Sequence, residues 1–584
     1  MAIDKNQLVL LLVAASGIGL LAMQTWLPSA WARLVDSVQK RTVWIPLCAA
    51  FFVYYLAALL CSTTYAGYLE HVEPQIASVS FILLKGAPLY HSLTSAQRYS
   101  TQYGPMAYLP FTLVLHVVGA NVFSLKLLVF FANLGLLWLL WRCYRKLLDR
   151  QGASLVTTLV VAFLLLTNDY VFQVRGDILI IFAVALGLYA ALSPSSWISA
   201  FLLALACGFA FDIKFSALFY FVPLYLLLSR KHGWRLVAWA LGGAVIVALI
   251  PFLFPEISAA GYLEWLHQMA QRPRSRVEIL PELKMLLLLA TPVGFLFWQL
   301  AQKSRGALEA FLTTNRRFLL VLASCVLAVA IVASEIGAGP HHFMPFYPIL
   351  GYLCADIYQA AKTASGRAPL AGQPSFLLLL WFWFAIIAAV PLGIDFSITV
   401  RRLLTSRSQA NAVASDLEMV MANHSGQKME MGYGNMKEYA DPSYRLTYFR
   451  PALVFAGNPL TLDENALADM QLSHIDIPPS TLEYLRSCET NIWLIPKGNP
   501  PFALVNIYSM IDAHAIPQPH LFSEEFRQTF FQQYRKQGSS EYFDIWECKA
   551  DSSLPTSLKD EEDSVQVAIT RRPCFPPGLA LVGR

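Results

Sequence analysis

The sequence predicts a polytopic α-helical membrane protein with a C-terminal α+β domain on the outer side of the membrane. Of its 584 residues, 56% are hydrophobic and only 14% are charged, and the mean hydropathy is +0.49. A soluble globular protein has about a quarter of its residues charged. Composition changes abruptly at residue 396, after which charged and turn-forming residues are frequent. These observations exclude an ordinary soluble enzyme and a disordered protein, and the net charge of +5 is too small to indicate a nucleic-acid partner.

Twelve apolar stretches approach the length of about 20 residues that a membrane-crossing helix needs. The first ends in Trp26-Leu27-Pro28 and follows no basic region, so we predict a retained helix and not a removed signal peptide. The twelve predicted spans are 7–27, 43–63, 123–142, 153–170, 177–193, 197–213, 215–229, 236–254, 282–300, 318–335, 343–361 and 374–395.

Lys and Arg residues in the short loops set the predicted orientation, because cytoplasmic loops of membrane proteins are enriched in both. The alternation is consistent if the segment 105–118, which its prolines shorten, stays at the outer interface and does not cross. The outer side then receives the long loop 64–122, the shorter loop 255–281 and everything after residue 396. The basic residues assigned to the inner side are Arg33, Lys40, Arg41, Arg142, Arg145, Lys146, Arg150, Arg230, Lys231, Arg235, Lys303, Arg305, Arg316, Arg317, Lys362 and Arg367.

This orientation divides the chain into three parts. Residues 1–40 form an extra N-terminal helix and an inner loop, 41–395 form the transmembrane domain, and 396–584 form the outer domain. In the outer domain the runs NIWLIP, FALVNIY and YFDIWEC alternate as strands do. Six of the nine cysteines lie in apolar stretches, so at most one disulfide is expected among the remaining Cys488, Cys548 and Cys574.

Acidic residues beside the predicted spans are candidates for function, because charge next to the bilayer is costly. Glu73 precedes a predicted interface helix that starts at Pro74 and has an apolar face of Ile76, Val79 and Leu83. That helix would hold the Glu73 carboxylate at the membrane–water boundary. The alternative is a solvated acid at a helix N-terminus. Glu70 is a weaker candidate of the same kind.

A second acid, Asp177, begins a span on the same side and follows Arg175. It is either an ordinary capping residue or a partner of Glu73. Two acids on one face of the membrane can supply a general base or bind a divalent cation.

Cationic and histidine side chains on this side favour an anionic ligand. Lys214 lies between two spans close to Asp212, and the two either bind a headgroup or pair with each other. His341 and His342 can bind phosphate or a metal, or have no role. The loop 255–281 adds a cluster that can clamp a lipid phosphate or contact anionic lipid, formed by His267, Arg272, Arg274 and Arg276.

Aromatic residues close the first outer loop in the run Gln102-Tyr103-Gly104-Pro105-Met106-Ala107-Tyr108. Tyrosine rings can stack on sugars, but they are also common in the aromatic belts at membrane interfaces.

In this order the motifs resemble the GT-C superfamily of membrane glycosyltransferases over about residues 40–395. Six sequence features show this resemblance. They are an acid at the start of a long outer loop, the turn Gly86-Ala87-Pro88-Leu89-Tyr90, the run 103–108, Asp177 in RGDILIIF, Lys214 in FDIKFSALFYFVP, and HHFMPFYPIL. The similarity is greatest to the lipid A aminoarabinose transferase and protein mannosyltransferase groups. Three features of the sequence depart from the pattern of that superfamily. The usual acid pair Asp-Glu is Val72-Glu73 here, a Lys that some relatives place before the closing Pro is Gly104, and an extra span precedes the core.

The resemblance implies an inverting transferase of the bacterial inner membrane that acts on its outer face. It would move a sugar from a polyprenyl-phosphate donor to a hydroxyl of a glycan, lipid or protein. Glu73 would be the base and Asp177 would orient the acceptor or a cation; both would be ligands if a divalent cation such as Mg²⁺ or Mn²⁺ is used. On this basis Glu73→Gln and Asp177→Asn are expected to be severe and Glu70→Gln mild.

The resemblance also implies the remaining contacts. The donor phosphate would contact Arg175, Lys214, His341, His342, Arg274 and Arg276. The substrates would contact Tyr90, Gln102, Tyr103 and Tyr108, and the outer domain would help to bind a glycan acceptor. The rival interpretations are a lipid or sugar transporter without transferase activity and an enzyme that moves a preassembled glycan.

Overall fold

The computed structural model describes residues 41–166, 169–364, 406–435, 441–510 and 520–549, together with a few single positions between 23 and 33. The predicted spans 7–27 and 374–395 lie almost wholly outside these residues. The Cys574 position lies outside them as well.

The membrane part is a bundle of helices linked by short turns. Its long helices are Arg41–Thr64, Val122–Arg145, Arg150–Leu166, Gly176–Ala191, Ser196–Phe211, Leu218–His232, Trp234–Leu249, Arg276–Lys303, Arg305–Ala333 and Tyr347–Ala364. Shorter helices at the end that carries the C-terminal region are Val72–Leu84, Leu109–Val118 and Ala259–Met269. Ten of the twelve predicted spans therefore coincide with helices.

By length and composition, 5 of the described helices can cross a bilayer. The two most apolar of them are Trp234–Leu253 and Arg305–Ala333, with hydropathies of 2.4 and 2.2. The helix Leu109–Val118 has 10 residues and spans only about 15 Å at about 1.5 Å per residue, half of the bilayer core. It is too short to cross, as expected for the segment 105–118. The chain is an integral membrane protein.

The helix Val72–Leu84 differs from its prediction in start and in surroundings. It begins at Val72, not Pro74, and nearly all of its side chains are buried. It packs against the helix Leu109–Val118 and against the helix Arg450–Phe455 from the C-terminal region. The Asn465 amide covers its polar side by donating to Oε1 of Gln75 at 2.7 Å. A contact made almost 400 residues away cannot be seen in the local pattern, so the prediction that this helix lies flat on lipid was wrong.

The C-terminal region combines helices with a four-stranded sheet, as the composition predicts. The sheet order is β1-β2-β4-β3, with β1 (Met429–Met431) parallel to β2 (Ile492–Pro496), and with β4 (Phe543–Cys548) antiparallel to both β2 and β3 (Tyr534–Ser539). A helix covers 406–423. The others are Pro442–Arg445, Arg450–Phe455, Glu464–Leu472, Pro479–Arg486 and Glu524–Gln533.

Two of the three predicted strands are present, and FALVNIY is not a strand. Phe502 has φ of +53°, which a strand cannot accommodate. The Asn506 side chain then accepts from Tyr508 N at 2.9 Å and closes a turn.

One disulfide joins Cys488, after the helix Pro479–Arg486, to Cys548 at the end of β4, with the Cα atoms 5.9 Å apart. The expected limit of one disulfide holds for the cysteines that the structure describes. The bond ties this helix to the sheet.

Candidate functional site

A cavity of about 600 Å³, the outer cavity, lies at the end of the helix bundle that carries the C-terminal region, and residues of both parts line it. Its wall is built from the turns between helices, which is where a bundle presents polar groups. The membrane part contributes residues near 70–72, 102–103, 170–175, 214–219, 266–278 and 332–342. The C-terminal region contributes Asn465, Asp469 and Tyr508.

Two cations on the cavity wall are held by one acid. The Arg175 Nε atom lies 2.9 Å from Oδ2 of Asp177, and Nζ of Lys214 lies 2.7 Å from Oδ1 of the same residue. Arg175 and Lys214 line the cavity, whereas Asp177 is 6% exposed and lies behind them. Asp177 thus fixes the position of both cations. Lys214 does not pair with Asp212, the alternative that the sequence had left open.

The charge states of the two cations follow from this arrangement. Burial opposes the charge on Arg175, but Glu70 and Asp177 raise the pKa of its guanidinium, so it stays charged. Burial lowers the pKa of the Lys214 ammonium, and Asp177 offsets part of that effect.

His341 and His342 reach the cavity from a 3₁₀ segment, Pro340–Phe346. Their rings are 4.7 Å apart, and the His341 ring is 5.1 Å from that of Tyr170. Burial lowers the pKa of the His342 imidazole to about 3. Its Nδ1 atom has no hydrogen-bond partner among the described residues. These histidines therefore offer neutral hydrogen-bonding groups and not positive charge.

Glu70 is the cavity-lining acid that pairs with Arg175. Its Oε2 atom lies 3.0 Å from Nη1 of Arg175, and its Oε1 atom lies 2.5 Å from Nδ1 of His71. Burial would raise the pKa of the Glu70 carboxyl, but His71 and Arg175 lower it to about 2. An ionised carboxylate is therefore exposed to the cavity beside an arginine.

Glu73 does not occupy the place that the sequence predicted for it. Its side chain is 0% exposed and does not line the cavity. The carboxylate accepts backbone N–H bonds from Leu69 at 2.5 Å, from Glu70 at 3.2 Å and from Val174 at 2.7 Å. Burial raises the pKa of this carboxyl, and Lys126 and the backbone donors offset that in part. Glu73 ties the turn that carries Glu70 to the turn that carries Arg175, and is a positioning residue.

Lys126 supports the same outer loop and was missed by the sequence analysis. Its ammonium donates to the backbone carbonyls of Ser62 at 3.0 Å, Tyr65 at 2.8 Å and Gly67 at 2.7 Å. A lysine near the start of an apolar helix is a signal that could have identified it.

Only one arginine of the 272–276 cluster reaches the cavity. Arg272 forms an ion pair with Asp469 at 2.5 Å and donates to Oε1 of Gln102 at 2.9 Å. Arg274 and Arg276 are exposed and do not line the cavity, so their predicted contact with phosphate is not supported. His267 is exposed as well.

The predicted substrate-contact residues divide into two pairs. Gln102 and Tyr103 line the cavity. Tyr90 and Tyr108 lie behind it, and the Tyr90 hydroxyl donates to the Tyr103 carbonyl at 2.8 Å, while the Tyr108 hydroxyl bonds to that of Thr101 at 3.0 Å. Tyr90 and Tyr108 therefore support the loop from behind the cavity wall, and their predicted contact with substrate is not supported.

Gly104 explains one departure from the GT-C pattern. A Cβ atom at this position would lie 2.0 Å from the carbonyl oxygen of Asp212, so a side chain cannot be accommodated. The close approach allows Met106 N to bond to the Asp212 carbonyl at 3.1 Å, which joins the first outer loop to the Lys214 turn. The Asp212 carboxyl is buried, which raises its pKa to about 8.

Three further acids line the cavity. Glu278 and Glu335 come from the membrane part and Asp469 comes from the C-terminal region. No group of three or more His, Cys, Asp or Glu that could hold a metal ion occurs within the described part of the chain. Glu73 accepts backbone N–H bonds and Asp177 pairs with two cations, so this arrangement does not support the predicted shared cation site, and the need for a divalent cation stays a prediction.

A helical membrane domain with cationic side chains in a cavity beneath a C-terminal region that holds a small sheet is the arrangement that the GT-C resemblance predicts. The resemblance drawn from the sequence is thus confirmed at the level of the fold. The solved structure of ArnT from Cupriavidus metallidurans bound to undecaprenyl phosphate superposes with a TM-score of 0.51 and 13% identity, over 88% of this chain and 100% of that chain.

Two further comparisons are with the same ArnT in the apo state and with a larger enzyme. Apo ArnT matches with a TM-score of 0.49, 13% identity, 88% of this chain and 99% of that chain. The archaeal oligosaccharyltransferase AglB from Archaeoglobus fulgidus matches with a TM-score of 0.39, 10% identity, 87% of this chain and 75% of that chain.

Residues 102–255 match the family model of dolichyl-phosphate-mannose-protein mannosyltransferases. This segment runs from the closing turn of the first outer loop through the Arg175–Asp177–Lys214 cluster. No curated protein matches the sequence.

Proposed function

We propose that this protein is an integral-membrane inverting glycosyltransferase. It moves a sugar from a polyprenyl-phosphate donor to an acceptor hydroxyl of a glycan, lipid or protein on the outer face of the membrane. The observation that carries the proposal is the pair Arg175 and Lys214, fixed by Asp177 on the wall of a cavity that also exposes the Glu70 carboxylate. The fold shared with ArnT bound to undecaprenyl phosphate supports it.

In this mechanism the two cations receive the donor phosphate. As the bond between the anomeric carbon and the phosphate oxygen breaks, negative charge grows on the phosphate. Arg175 and Lys214 are already in position and stabilise that charge without reorganisation. The neutral imidazole of His342 lies on the same wall.

Glu70 replaces Glu73 as the proposed base, because, of these two acids, it is Glu70 that lines the cavity, beside Arg175. The acceptor hydroxyl gives its proton to Glu70, and its oxygen attacks the anomeric carbon on the face opposite the departing phosphate. Val72 stands where the resemblance places the usual Asp, and its apolar side chain lines the cavity. The acid at this part of the cavity is therefore Glu70, from the turn that precedes the helix.

Donor binding also makes Glu70 a better base. In the empty cavity Arg175 and His71 hold the pKa of the Glu70 carboxyl at about 2. A phosphate beside Arg175 neutralises part of that positive charge and raises the carboxyl's affinity for a proton. Glu70 therefore becomes basic when the donor is present.

Asp177 acts through the cations that it holds. We expect Asp177→Asn to weaken the inhibition of transfer by undecaprenyl phosphate roughly 10- to 100-fold, since a hydrogen-bonded charge partner is lost. Inhibition curves for the wild type and the variant measure this. Unchanged inhibition would show that the two cations do not contact the phosphate.

The topology of the C-terminal region has its own test. Its disulfide, Cys488–Cys548, and the basic loops on the other side of the bundle support an extracytoplasmic position, in a bacterial inner membrane. In protein alkylated within intact cells, both cysteines should resist alkylation unless a reductant is added. Alkylation of both without reductant, read by peptide mass, would place the region in the cytoplasm.

Transfer itself is tested with purified protein and radiolabelled polyprenyl-phosphate sugars, each offered with glycan, lipid and peptide acceptors. Release or transfer of label is expected with at least one donor. Movement of the intact lipid-linked sugar across a vesicle membrane, without cleavage of any donor, would favour a transporter.

A further inference from the structure

Two carboxylates of the outer cavity have no cation partner in the part of the chain that the structure describes. Four acids line this cavity. Glu70 pairs with Arg175, and Asp469 pairs with Arg272. The other two come from the membrane part, form no ion pair with a described residue and accept no hydrogen bond from one. They are Glu278 and Glu335.

Glu278 combines deep burial with an accessible carboxylate. The residue is only 8% exposed, but that small area includes both carboxylate oxygens, and the residue lines the cavity. It lies in the first turn of the helix Arg276–Lys303, where Ser275 already caps the helix by accepting from Val277 N at 3.0 Å. The helix N-terminus favours a negative charge here but does not replace a partner. Because an unpaired buried carboxylate is costly, a ligand that supplies the missing positive charge gains the energy of pairing with it.

Glu335 reaches the same cavity from a turn between two helices of the membrane part. Two backbone hydrogen bonds, of 3.0 and 3.3 Å, join this turn to residues 273–275, directly before the helix of Glu278. Arg272 and Arg274 act on Glu335 electrostatically, but neither forms an ion pair with it. The two acids thus come from adjacent backbone segments and add negative potential to one cavity.

The chemistry of these acids selects among possible ligands. A carboxylate within reach of Arg175 or Lys214 would pair with them, as Asp177 does, so the unpaired state of Glu278 indicates that it lies apart from the proposed phosphate position. A metal ion would need more ligands, since the described residues hold no group of three or more His, Cys, Asp or Glu that suits one. A primary ammonium group carries the balancing charge and donates three hydrogen bonds.

The depth of Glu278 indicates which substrate carries the ammonium group. Its helix is long and apolar enough to cross a bilayer, and Glu278 lies at the start of it. The neighbouring side chains Val277, Ile279 and Leu280 are each more than half exposed, as lipid-facing residues are. Apolar side chains also line the cavity itself, among them Phe219, Leu266 and Val332. Glu278 is therefore at the level of the bilayer where lipid headgroups lie.

We propose that Glu278 binds the ammonium headgroup of a lipid acceptor, and that Glu335 adds to the attraction. The sugar to be transferred is bonded to the donor phosphate and stays near Arg175 and Lys214, so the second substrate fills the remaining space. Its positive charge would also offset the repulsion between the two carboxylates and the donor phosphate. The assignment to the acceptor rests on the proposed transferase function, whereas ammonium binding itself does not.

Ammonium binding is measured without turnover, by native mass spectrometry of purified protein released from phosphatidylcholine nanodiscs. The nanodiscs contain equal amounts of sphinganine and N-acetylsphinganine, which share their chain and hydroxyls but differ in the ammonium group. Sphinganine should be retained about 10- to 100-fold more often, the effect of a hydrogen bond to a charged group. Glu278→Gln should bring this ratio close to one. Glu282→Gln is the matched control, because this buried acid lies one turn further along the same helix face and does not line the cavity.

Three results would overturn the inference. Equal retention of the two lipids by the wild type would show that no ammonium site exists. A preference for sphinganine that survives in Glu278→Gln as it does in Glu282→Gln would place the site elsewhere. Added undecaprenyl phosphate should be retained together with sphinganine, and displacement of one by the other would contradict the assignment to the acceptor. Retention of sphinganine by a protein that transfers no sugar would instead contradict the proposed function and leave the ammonium site in place.

Discussion

Replacing Glu70 with glutamine should lower the rate of sugar transfer by about 10²- to 10⁴-fold, the usual effect of removing a general base. The amide keeps the size of the side chain but cannot take the proton from the acceptor hydroxyl. The variant also loses the ion pairs of the Glu70 carboxylate with Arg175 and His71, so some loss of thermal stability is expected beside the loss of rate. The assay is single-turnover transfer by purified protein at saturating donor.

Glu73→Gln is the matched comparison for this result. Its carboxylate accepts three backbone N–H bonds, so an amide would set an N–H against another N–H and cost about 1–3 kcal/mol of stability. A lower melting temperature is therefore expected for Glu73→Gln as well, so the rate of transfer by folded protein, and not the stability, separates the two variants. Normal transfer by Glu70→Gln, together with a folded but inactive Glu73→Gln, would restore Glu73 as the base.

Replacing Lys214 with methionine should slow transfer by about 10²- to 10³-fold, the range measured when one preorganised charge-stabilising group is removed. Among the described residues, Asp177 is the only acid that pairs with Lys214. The replacement is therefore expected to act mainly through the donor phosphate that Lys214 is proposed to contact. Most of the effect should appear in kcat, since the charge on the phosphate grows in the transition state.

Arg274→Met is the control for Lys214→Met. Arg274 belongs to the basic cluster of the same outer side but is exposed and lies outside the cavity. Its replacement should leave kcat within about twofold of the wild type, as for a surface charge. Equal losses in both variants would mean that a general positive potential, and not a placed cation, assists the reaction.

The sequence was sufficient for the bundle and for two cations of the site, but it chose Arg274 and Arg276 where the cavity holds Arg272. Apolar runs of the required length leave few alternatives to a membrane helix, and charged residues beside such runs, such as Arg175, Asp177 and Lys214, are rare enough to stand out. Their convergence on one cavity followed from assigning their turns to one side of the membrane.

The choice between Glu70 and Glu73 could not be made from the sequence. Both acids precede the same helix, and local spacing does not tell a carboxylate that accepts backbone N–H bonds from one that faces a cavity. The Val174 N–H that holds Glu73 comes from 101 residues further along the chain. The C-terminal residues that line the cavity were missed for the same reason, because only the tertiary fold brings them onto the membrane part. They are Asn465, Asp469 and Tyr508.

The most direct test of this account is an experimental structure of the protein with undecaprenyl phosphate bound. We expect phosphate density in the outer cavity within hydrogen-bond distance of the Arg175 guanidinium and the Lys214 ammonium, with the Glu70 carboxylate open to the remaining space. Phosphate density elsewhere, with the Arg175–Asp177–Lys214 cluster unchanged and the outer cavity holding only solvent, would contradict it.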